Sequence, residues 1–408
     1  MTADDITAPH SASGRRRVLI VGAGPLQVPL IERALCAGHV VVAIDGDPAA
    51  PGLALADVGI SVDTSDPEAA LAVAQQHAVD AAASDASDVA VPTVAFVAER
   101  MGLPGIGRDV ATAFTDKLVM RTVCVAADLP CPRFAEVADV GEAAAAAQAF
   151  GWPVVVKPRR SQASKGVTLV AAPEGVGPAV AEAQRYARNG SLLVEEYVDG
   201  PEFTVEGFKG TGAHRSLAVS RKSHYAHRPM VANRLVYSRE SDEYDYAELR
   251  ALNDRVVAAL GLPFGITHAE YRHSGDGFKL IEIAARGGGL RISSHIVPRL
   301  SGVDVQTELL ACATGAGGDP TPEYQELRVA LDFFDFAPGR VARVSGLEAV
   351  IARPDVLDAG LSVAPGKEIL PAADDTTRHG YFVHEAVSAD ALERAAAEIK
   401  GTVVVDYE

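Results

Sequence analysis

Two segments that favour β-strands flank a glycine-rich turn in the second half of the chain. Residues 267–272 (THAEYR) form the first segment and residues 279–284 (KLIEIA) the second, with Gly-Asp-Gly at 275–277 between them. This pattern is typical of a β-hairpin. A three-residue loop over 275–277 predicts that Glu270 lies directly opposite Glu282.

Two carboxylates in directly opposed positions are unfavourable unless a cation neutralises them, because their Cβ atoms are only about 5 Å apart. Mg²⁺ takes carboxylate oxygen at about 2.1 Å and keeps positions for substrate phosphates. Strand alternation places Glu282, Ala284 and Arg286 on one face, so a permanently charged guanidinium lies beside the acids. The pattern predicts a metal site for an anionic substrate; the alternative is a solvent-facing hairpin whose glutamates never meet.

Composition narrows the classes of protein that this chain can represent. Its 408 residues are enough for two or three domains, and 48% hydrophobic with 22% charged residues is ordinary for a globular protein. A formal charge of -17 argues against a nucleic-acid-binding surface. No apolar run approaches the roughly 20 residues of a membrane span, and the four cysteines form no CxxC pattern. We expect a cytoplasmic protein that binds neither nucleic acid nor membrane.

The beginning of the chain predicts a Rossmann-like layer. Residues 1–14 are small and polar and are expected to be a disordered tail, and residues 15–108 then alternate strand and helix patterns. The turn at residues 22–27 has Gln27 where a dinucleotide fingerprint has its third glycine, although Asp45 lies near the ribose-reading position. We interpret it as a tight strand-to-helix turn. A nicotinamide oxidoreductase is the alternative, and it leaves the second half of the chain unexplained.

From about residue 109 the pattern changes to a compact α+β unit with the order strand, loop, strand, helix, strand. A helix over 109–127 carries Lys117, and an apolar strand ends in Lys157. The small, polar loop 161–166 follows, and its backbone N–H groups suit an anion. A strand over 191–198 ends in a turn, where acids could accept hydrogen bonds from a nucleoside. The residues singled out here are Ser161, Ser164, Lys165, Gly166, Glu195, Glu196, Val198 and Glu202.

A basic and aromatic cluster lies between residues 206 and 250. Arginine and lysine there could bind a substrate carboxylate, and a histidine could accept a proton from an amine. A basic surface loop without a ligand is the alternative. The candidate substrate-binding residues are Arg221, Lys222, His224, His227, His268 and Arg291.

Taken in order, these motifs resemble the ATP-grasp superfamily of ligases over roughly residues 17–310, and within it they are most similar to the L-amino acid ligases. The resemblance implies a mixed α/β and α+β fold. Its parts are a Rossmann-like parallel sheet (15–108), a lid subdomain (109–195), a core subdomain (196–327) and a mostly β C-terminal lobe (328–408). The lobe either completes the substrate pocket or forms a homodimer.

The resemblance also implies roles for the motif residues. Lys117 and Lys157 would contact ATP phosphates, and the loop 161–166 would cover them. Glu270 and Glu282 would bind Mg²⁺, or Mn²⁺ in its place, and Arg286 would act in catalysis by steadying the acylphosphate or the acceptor carboxylate. Adenine and ribose would be held by Glu195, by Glu196 and Val198 through their backbone, and by Glu202. Two positions depart from the family pattern: Ala284 stands where many members have Asn, and Gly166 is the only glycine of its loop.

The implied activity is an ATP-dependent ligase that joins a small carboxylic acid to an amine and releases ADP and phosphate. One alternative is a bicarbonate-activating enzyme similar to biotin carboxylase or to purine-pathway carboxylating enzymes. A second alternative, of another class, is a non-catalytic nucleotide-binding module. The sequence identifies neither the acid nor the amine, because specificity depends on the shape of the pocket.

Overall fold

The computed structural model describes residues 14–161, 164–187, 190–374 and 376–408. The expected disordered tail therefore lies almost wholly outside the described residues, as do Gln162 and Ala163 of the predicted phosphate loop. None of the helices in the described ranges combines the length and apolar character needed to cross a bilayer.

The first unit is a parallel sheet of four strands in the order β3-β2-β1-β4, packed between helices. It confirms the predicted Rossmann-like layer. Its strands are β1 (Arg17–Val21), β2 (Val40–Asp45), β3 (Val58–Ser61) and β4 (Ala81–Ala83), and its helices are α1 (Val28–Cys36), α2 (Pro51–Leu55), α3 (Pro67–Gln76) and α4 (Ala90–Met101).

The side chain of Gln27 fills the turn after β1. A Cβ added at Gly22 or Gly24 would lie 3.2 Å from the Gln27 side chain, and the Gln27 amide donates to the Asp85 carbonyl at 2.8 Å. Asp45, the candidate ribose reader, instead accepts from the Ala23 backbone N–H at 2.7 Å. The turn is therefore a structural element, as we interpreted it.

The second unit is a four-stranded antiparallel sheet in the order β5-β8-β6-β7, covered by helices. Two helices precede this sheet, α5 (Arg108–Thr115) and α6 (Lys117–Ala126), and they pack into the hydrophobic cluster that includes Phe203 and Leu280. The strands are β5 (Phe134–Val137), β6 (Val154–Pro158), β7 (Thr168–Val170) and β8 (Leu192–Glu196), and the helices that cover them are α7 (Val140–Phe150) and α8 (Val176–Gln184), the latter preceded by a 3-10 turn (Pro173–Gly175). The single predicted helix 109–127 is thus two helices. Asp116 caps α6 by accepting from the Leu118 and Val119 N–H groups, which places Lys117 at the first position of the new helix.

The third unit is an eight-stranded sheet in the order β13-β12-β9-β10-β11-β14-β18-β16. Its strands are β9 (Glu202–Lys209), β10 (His214–Tyr225), β11 (Arg228–Ser238), β12 (Gly265–Ser274), β13 (Gly277–Ala284), β14 (Arg328–Phe333), β16 (Val356–Leu361) and β18 (Gly380–Ala386). A small sheet contains β15 (Gly339–Ser345), β17 (Glu368–Ile369) and β19 (Val404–Tyr407), and the remaining helices are α9 (Tyr246–Leu260), a π-helical turn (Ile292–Ile296), α10 (Val297–Ser301), α11 (Val305–Ala313), α12 (Leu347–Ile351) and α13 (Ala389–Thr402). The large sheet continues across residue 328. The domain boundaries at 108, 195 and 327 stay predictions.

A buried aspartate joins the first unit to the third. Asp85 follows β4, is 0% exposed, and accepts hydrogen bonds from the Gly287 N–H at 2.7 Å, the Ser293 hydroxyl at 2.6 Å and the Gln306 amide at 2.6 Å. A buried acceptor with this many donors costs more to remove than an exposed one, because each donor would be left without a partner. This junction fixes the chain directly after β13.

We predict that Asp85→Asn lowers the free energy of unfolding by about 2–4 kcal/mol, because an amide N–H₂ cannot accept from the Ser293 and Gln306 donors. Urea unfolding followed by circular dichroism measures this change. Asp276→Asn, in the exposed turn between β12 and β13, is the matched control. A loss for Asp85→Asn no larger than that of the control would contradict the role of this junction.

Candidate active site

The hairpin of β12 and β13 carries the two central acids. Glu270 and Glu282 are direct cross-strand partners, which confirms the predicted pairing, but the three-residue loop was wrong. Ser274 pairs with Gly277, so the turn has two residues, and the register then shifts between Glu270 and Tyr271. Ile281 is the extra residue of this bulge, and it restores the pairing that the shorter turn would have displaced.

Each of these acids is bound by a lysine from another element. Lys117 Nζ lies 2.7 Å from Glu282 Oε1 and also donates to the Ser161 carbonyl at 3.0 Å. Lys222 of β10 donates to Glu270. Burial alone would raise the pKa of Glu270, but Lys222 and the His268 imidazolium outweigh it and hold the pKa well below its ordinary value. Glu270 is therefore ionised.

Glu202, predicted to bind ribose, belongs to the same network. Its carboxylate accepts from Lys222 at 2.7 Å and from Arg272 at 3.0 Å, and it lies 3.3 Å from His224 Nε2. Burial opposes ionisation, yet the Lys222 charge, the hydrogen bond from His224 and the Arg272 charge lower the pKa of Glu202 to about 2. Arg272 also donates to the Tyr197 hydroxyl at 2.7 Å. Sequence reasoning missed Arg272, although it lies two residues after Glu270 on the same strand.

Glu195, predicted to help hold the nucleoside, is bound by two cations of the protein. Its side chain is 3% exposed, and its oxygens lie 2.7 Å from Lys157 Nζ and 3.0 Å from Arg121 Nε. Both oxygens thus bind protein cations, and we propose that Glu195 positions Lys157 instead of contacting ribose. Arg121 was missed, but its place four residues after Lys117 on one helix is the signal that could have found it. Glu196 binds Arg133 at 2.6 Å and Lys279 at 2.9 Å.

Arg286 is held by an acid of the first unit. Its Nε and Nη2 donate to the two carboxylate oxygens of Asp88 at 2.9 and 2.8 Å. A bidentate pair fixes the plane of the guanidinium as well as its position. Asp88 was missed by sequence reasoning, although acids that follow the carboxyl end of a parallel strand are common in ligand sites.

His268 of β12 carries a positive charge at neutral pH. Its Nδ1 lies 2.9 Å from both oxygens of Glu206, and Glu206 also accepts from the Tyr237 hydroxyl at 3.0 Å. Burial opposes the charged imidazolium, but the Glu206 carboxylate outweighs burial and raises the pKa of His268 to about 9. His268 therefore donates hydrogen bonds beside Glu270.

A cavity of about 620 Å³ brings most of the predicted residues together, within the usual range for ligand pockets. Those that line it are Lys117, Lys157, Ser161, Ser164, Glu195, Glu196, Val198, Glu202, Lys222, His224, His268, Glu270, Glu282 and Arg286. The C-terminal region lines the same cavity through Phe333 of β14, Tyr381 of β18 and Ser362, which directly follows β16. The predicted lobe thus contributes to the pocket.

Five predicted residues lie elsewhere. Arg221 alternates with Lys222 along β10, so it faces away and binds Glu243 at 2.9 Å. The other four also lie outside the cavity lining, and nothing in their local sequence indicates their position. His227 is exposed in the turn after β10 and bonds to the Ala372 carbonyl, Arg291 binds Asp358 at 2.6 Å, Lys165 is exposed, and Gly166 is buried outside the cavity lining.

We compared the chain with protein-family models and with known proteins. Residues 150–294 match the model of the ATP-grasp domain, and residues 333–408 match that of the L-amino acid ligase C-terminal domain 2. The chain is 30% identical over 373 residues to the phosphoribosylamine–glycine ligase of Leifsonia xyli subsp. xyli (strain CTCB07), covering 85% of this chain and 87% of the relative. The chain belongs to the ATP-grasp family.

Two solved structures share the ATP-grasp fold with this chain. The L-amino acid ligase of Bacillus licheniformis has a TM-score of 0.79 at 21% identity, over 97% of this chain and all of that one. The biotin carboxylase domain of 2-oxoglutarate carboxylase from Hydrogenobacter thermophilus, solved with MgADP and bicarbonate, has a TM-score of 0.77 at 18% identity, over 97% and 91% of the two chains. The ATP-grasp assignment makes this chain an ADP-forming ligase of the carbon–nitrogen class.

The facing acids of this ATP-grasp enzyme fit the Mg²⁺ that the family uses with ATP. Within the described ranges no three His, Cys, Asp or Glu side chains form a group that could hold a metal by itself. Two carboxylates completed by substrate phosphate oxygens are the usual donor set for Mg²⁺ at a nucleotide. Glu270 and Glu282, paired in one cavity, would supply the two carboxylates of that set.

We predict that the His268 imidazole titrates near pH 9. Because this pKa is raised above the unfolded value of about 6.5, its contribution to stability is complete below pH 6.5 and is lost as the pH rises through 9. The total is on the order of 3 kcal/mol. Imidazole NMR titration, with His268→Gln for assignment, and urea unfolding from pH 6 to 10 measure both quantities. A titration midpoint at or below pH 7 would contradict the proposed ion pair with Glu206.

Proposed function

We propose that the chain activates a small carboxylic acid with ATP and couples it to an amine, so that it makes an amide or peptide bond. One observation carries this choice within the family. The segment that matches the L-amino acid ligase C-terminal domain supplies Phe333, Ser362 and Tyr381 to the cavity that holds Glu270 and Glu282. This match supports a substrate site formed partly by the region shared with L-amino acid ligases.

In the proposed reaction a carboxylate oxygen of the acid attacks the γ-phosphorus of ATP, and ADP leaves. The amine nitrogen then attacks the carbonyl carbon of the acylphosphate, phosphate leaves, and the nitrogen loses a proton. The first step brings two anions together, so cations that face the reacting groups favour it. Lys117, Lys157 and Arg286 line the cavity and supply that charge.

Mg²⁺ bound at Glu270 and Glu282, or Mn²⁺ in its place, would neutralise phosphate charge. The protein residues have separate tasks. Glu195 orients Lys157, and Asp88 orients Arg286. The loop that contains Ser161 and Ser164 borders the cavity, and we propose that it covers the phosphates.

A proton acceptor for the amine is also needed. His268 is protonated at neutral pH by its pairing with Glu206, so it is a hydrogen-bond donor. His227 lies in an exposed turn. We assign the acceptor role to His224, which lines the cavity 3.3 Å from Glu202.

We predict that Glu270→Gln and Glu282→Gln each lower turnover by about 10²–10³-fold, because each variant removes a charge that acts in the transition state. Phosphate release from ATP is measured with Mg²⁺ across a panel of amino acids and amines, and the amide product is confirmed by mass spectrometry. Glu243→Gln, an exposed glutamate paired with Arg221, is the matched control and should retain full turnover.

Two results would overturn the proposal. Phosphate release that stays at background with every acid and amine pair would contradict the proposed ligase activity. Bicarbonate-dependent ATP turnover without an amino acid would instead favour the alternative in which bicarbonate is the activated acid.

A further inference from the structure

One end of the cavity is apolar. Eight of its lining side chains form what we term the apolar compartment, and they come from β11, the turn after β13, β14 and β18. They are Met230, Ala232, Leu235, Leu290, Ile292, Leu331, Phe333 and Tyr381. Most of them also pack together in one hydrophobic cluster, so the compartment is a continuous surface.

The register of the large sheet places this compartment beside the charged residues. Lys222, which binds Glu270, is the cross-strand partner of Leu235, and Leu235 is the partner of Leu331. Leu331 therefore lies two strands from Lys222, roughly 10 Å across the sheet. An amino acid whose carboxylate lies near the Lys222 end could place its side chain against the two leucines.

The charges at this end argue against a phosphorylated substrate. Arg378 is a cation of the cavity lining that contacts the compartment. Its guanidinium stacks on the Phe333 ring, 4.0 Å from the centroid, and donates to the Ala232 carbonyl at 3.1 and 2.8 Å. A phosphate ester would need several converging cations. A phosphorylated sugar amine, which the name of the Leifsonia relative suggests, does not suit this surface.

We propose that the acid which the enzyme activates is an amino acid with an apolar side chain, of leucine to phenylalanine size, seated in the apolar compartment. This inference rests on the proposed ligase function. Each buried methylene of a ligand contributes about 0.8 kcal/mol, which is roughly a fourfold change in a rate or binding ratio. Leucine should therefore exceed alanine by about 10- to 100-fold in kcat/KM.

Hydroxylamine allows specificity for the acid to be measured separately from specificity for the amine. It replaces the amine as nucleophile, attacks the acylphosphate carbonyl carbon, expels phosphate and leaves a hydroxamate. Hydroxamate formation is measured with ATP, Mg²⁺ and one acid at a time: glycine, alanine, valine, leucine, phenylalanine and glutamate. We expect kcat/KM to rise from glycine to leucine or phenylalanine and glutamate to be poor.

Variants test the location of the side chain. Leu331→Ala should lower the leucine-to-alanine ratio by about tenfold. Val329→Ala is the matched control, because Val329 is buried on the same strand and in the same cluster but does not line the cavity; its ratio should equal that of the unchanged enzyme. Met230→Gln, at a half-buried position, makes the compartment more polar without opening the core and should also lower the ratio.

The outcomes separate the two proposals. Hydroxamates formed without preference for apolar acids, or with a preference that Leu331→Ala and Met230→Gln leave unchanged, overturn the compartment and leave the ligase function standing. A preference for apolar side chains that is found only in the amine also overturns the assignment to the activated acid. Absence of hydroxamate and of phosphate release with all acids and amines overturns the ligase function itself.

Discussion

The site depends on two like charges placed opposite each other in a cavity. Glu270 and Glu282 are adjacent across one hairpin, and the pairing is tolerable only because cations reach them. Those cations come from separate parts of the chain, since Lys117 begins α6 and Lys222 lies on β10. Lysines are suited to this task because a flexible four-carbon side chain lets the ammonium move from a carboxylate to a phosphate. The fold thus gathers its neutralising charges around the hairpin.

The first unit holds residues of the site in place and supplies few groups that would react. Its Asp85 and Asp88 follow β4, and they bind the Gly287 N–H and the Arg286 guanidinium. Both contacts lie at the carboxyl end of a parallel strand, the usual place for ligand contacts in such sheets. Here the acids at that edge bind the Gly287 N–H and the Arg286 guanidinium instead of a ligand, and they fix Arg286 at the wall of the cavity. The filled turn at Gln27 is consistent with this structural role.

Sequence reasoning succeeded where the relevant spacing was short. The shared face of Arg286 followed from alternation over a few residues. The pairing of Glu270 with Glu282 was predicted from a three-residue loop, and it holds because the bulge at Ile281 offsets the shorter turn; that bulge was hidden because it leaves no distinctive residue type. The ion pairs of Glu195 with Arg121 and of Arg286 with Asp88 span 74 and 198 residues, and no local pattern encodes such contacts. Which of two neighbouring basic residues on β10 faces the cavity depends on the face that the sheet buries, and that is a tertiary property.

The same dependence on register explains how charged and apolar regions share one cavity. On β11 and β14, Leu235 and Leu331 face the cavity, while the adjacent pair of Arg234 and Asp332 faces α13. Asp332 is fully buried there and binds His384 at 2.9 Å and Lys400 at 3.1 Å. A slip of one residue would exchange the two faces, moving these charges into the cavity and the leucines under the helix. Breaking a buried, paired charge is costly, so the ion cluster beneath α13 opposes that slip. The ion cluster on one face of the sheet thereby keeps Leu235 and Leu331 on the opposite face, which lines the cavity.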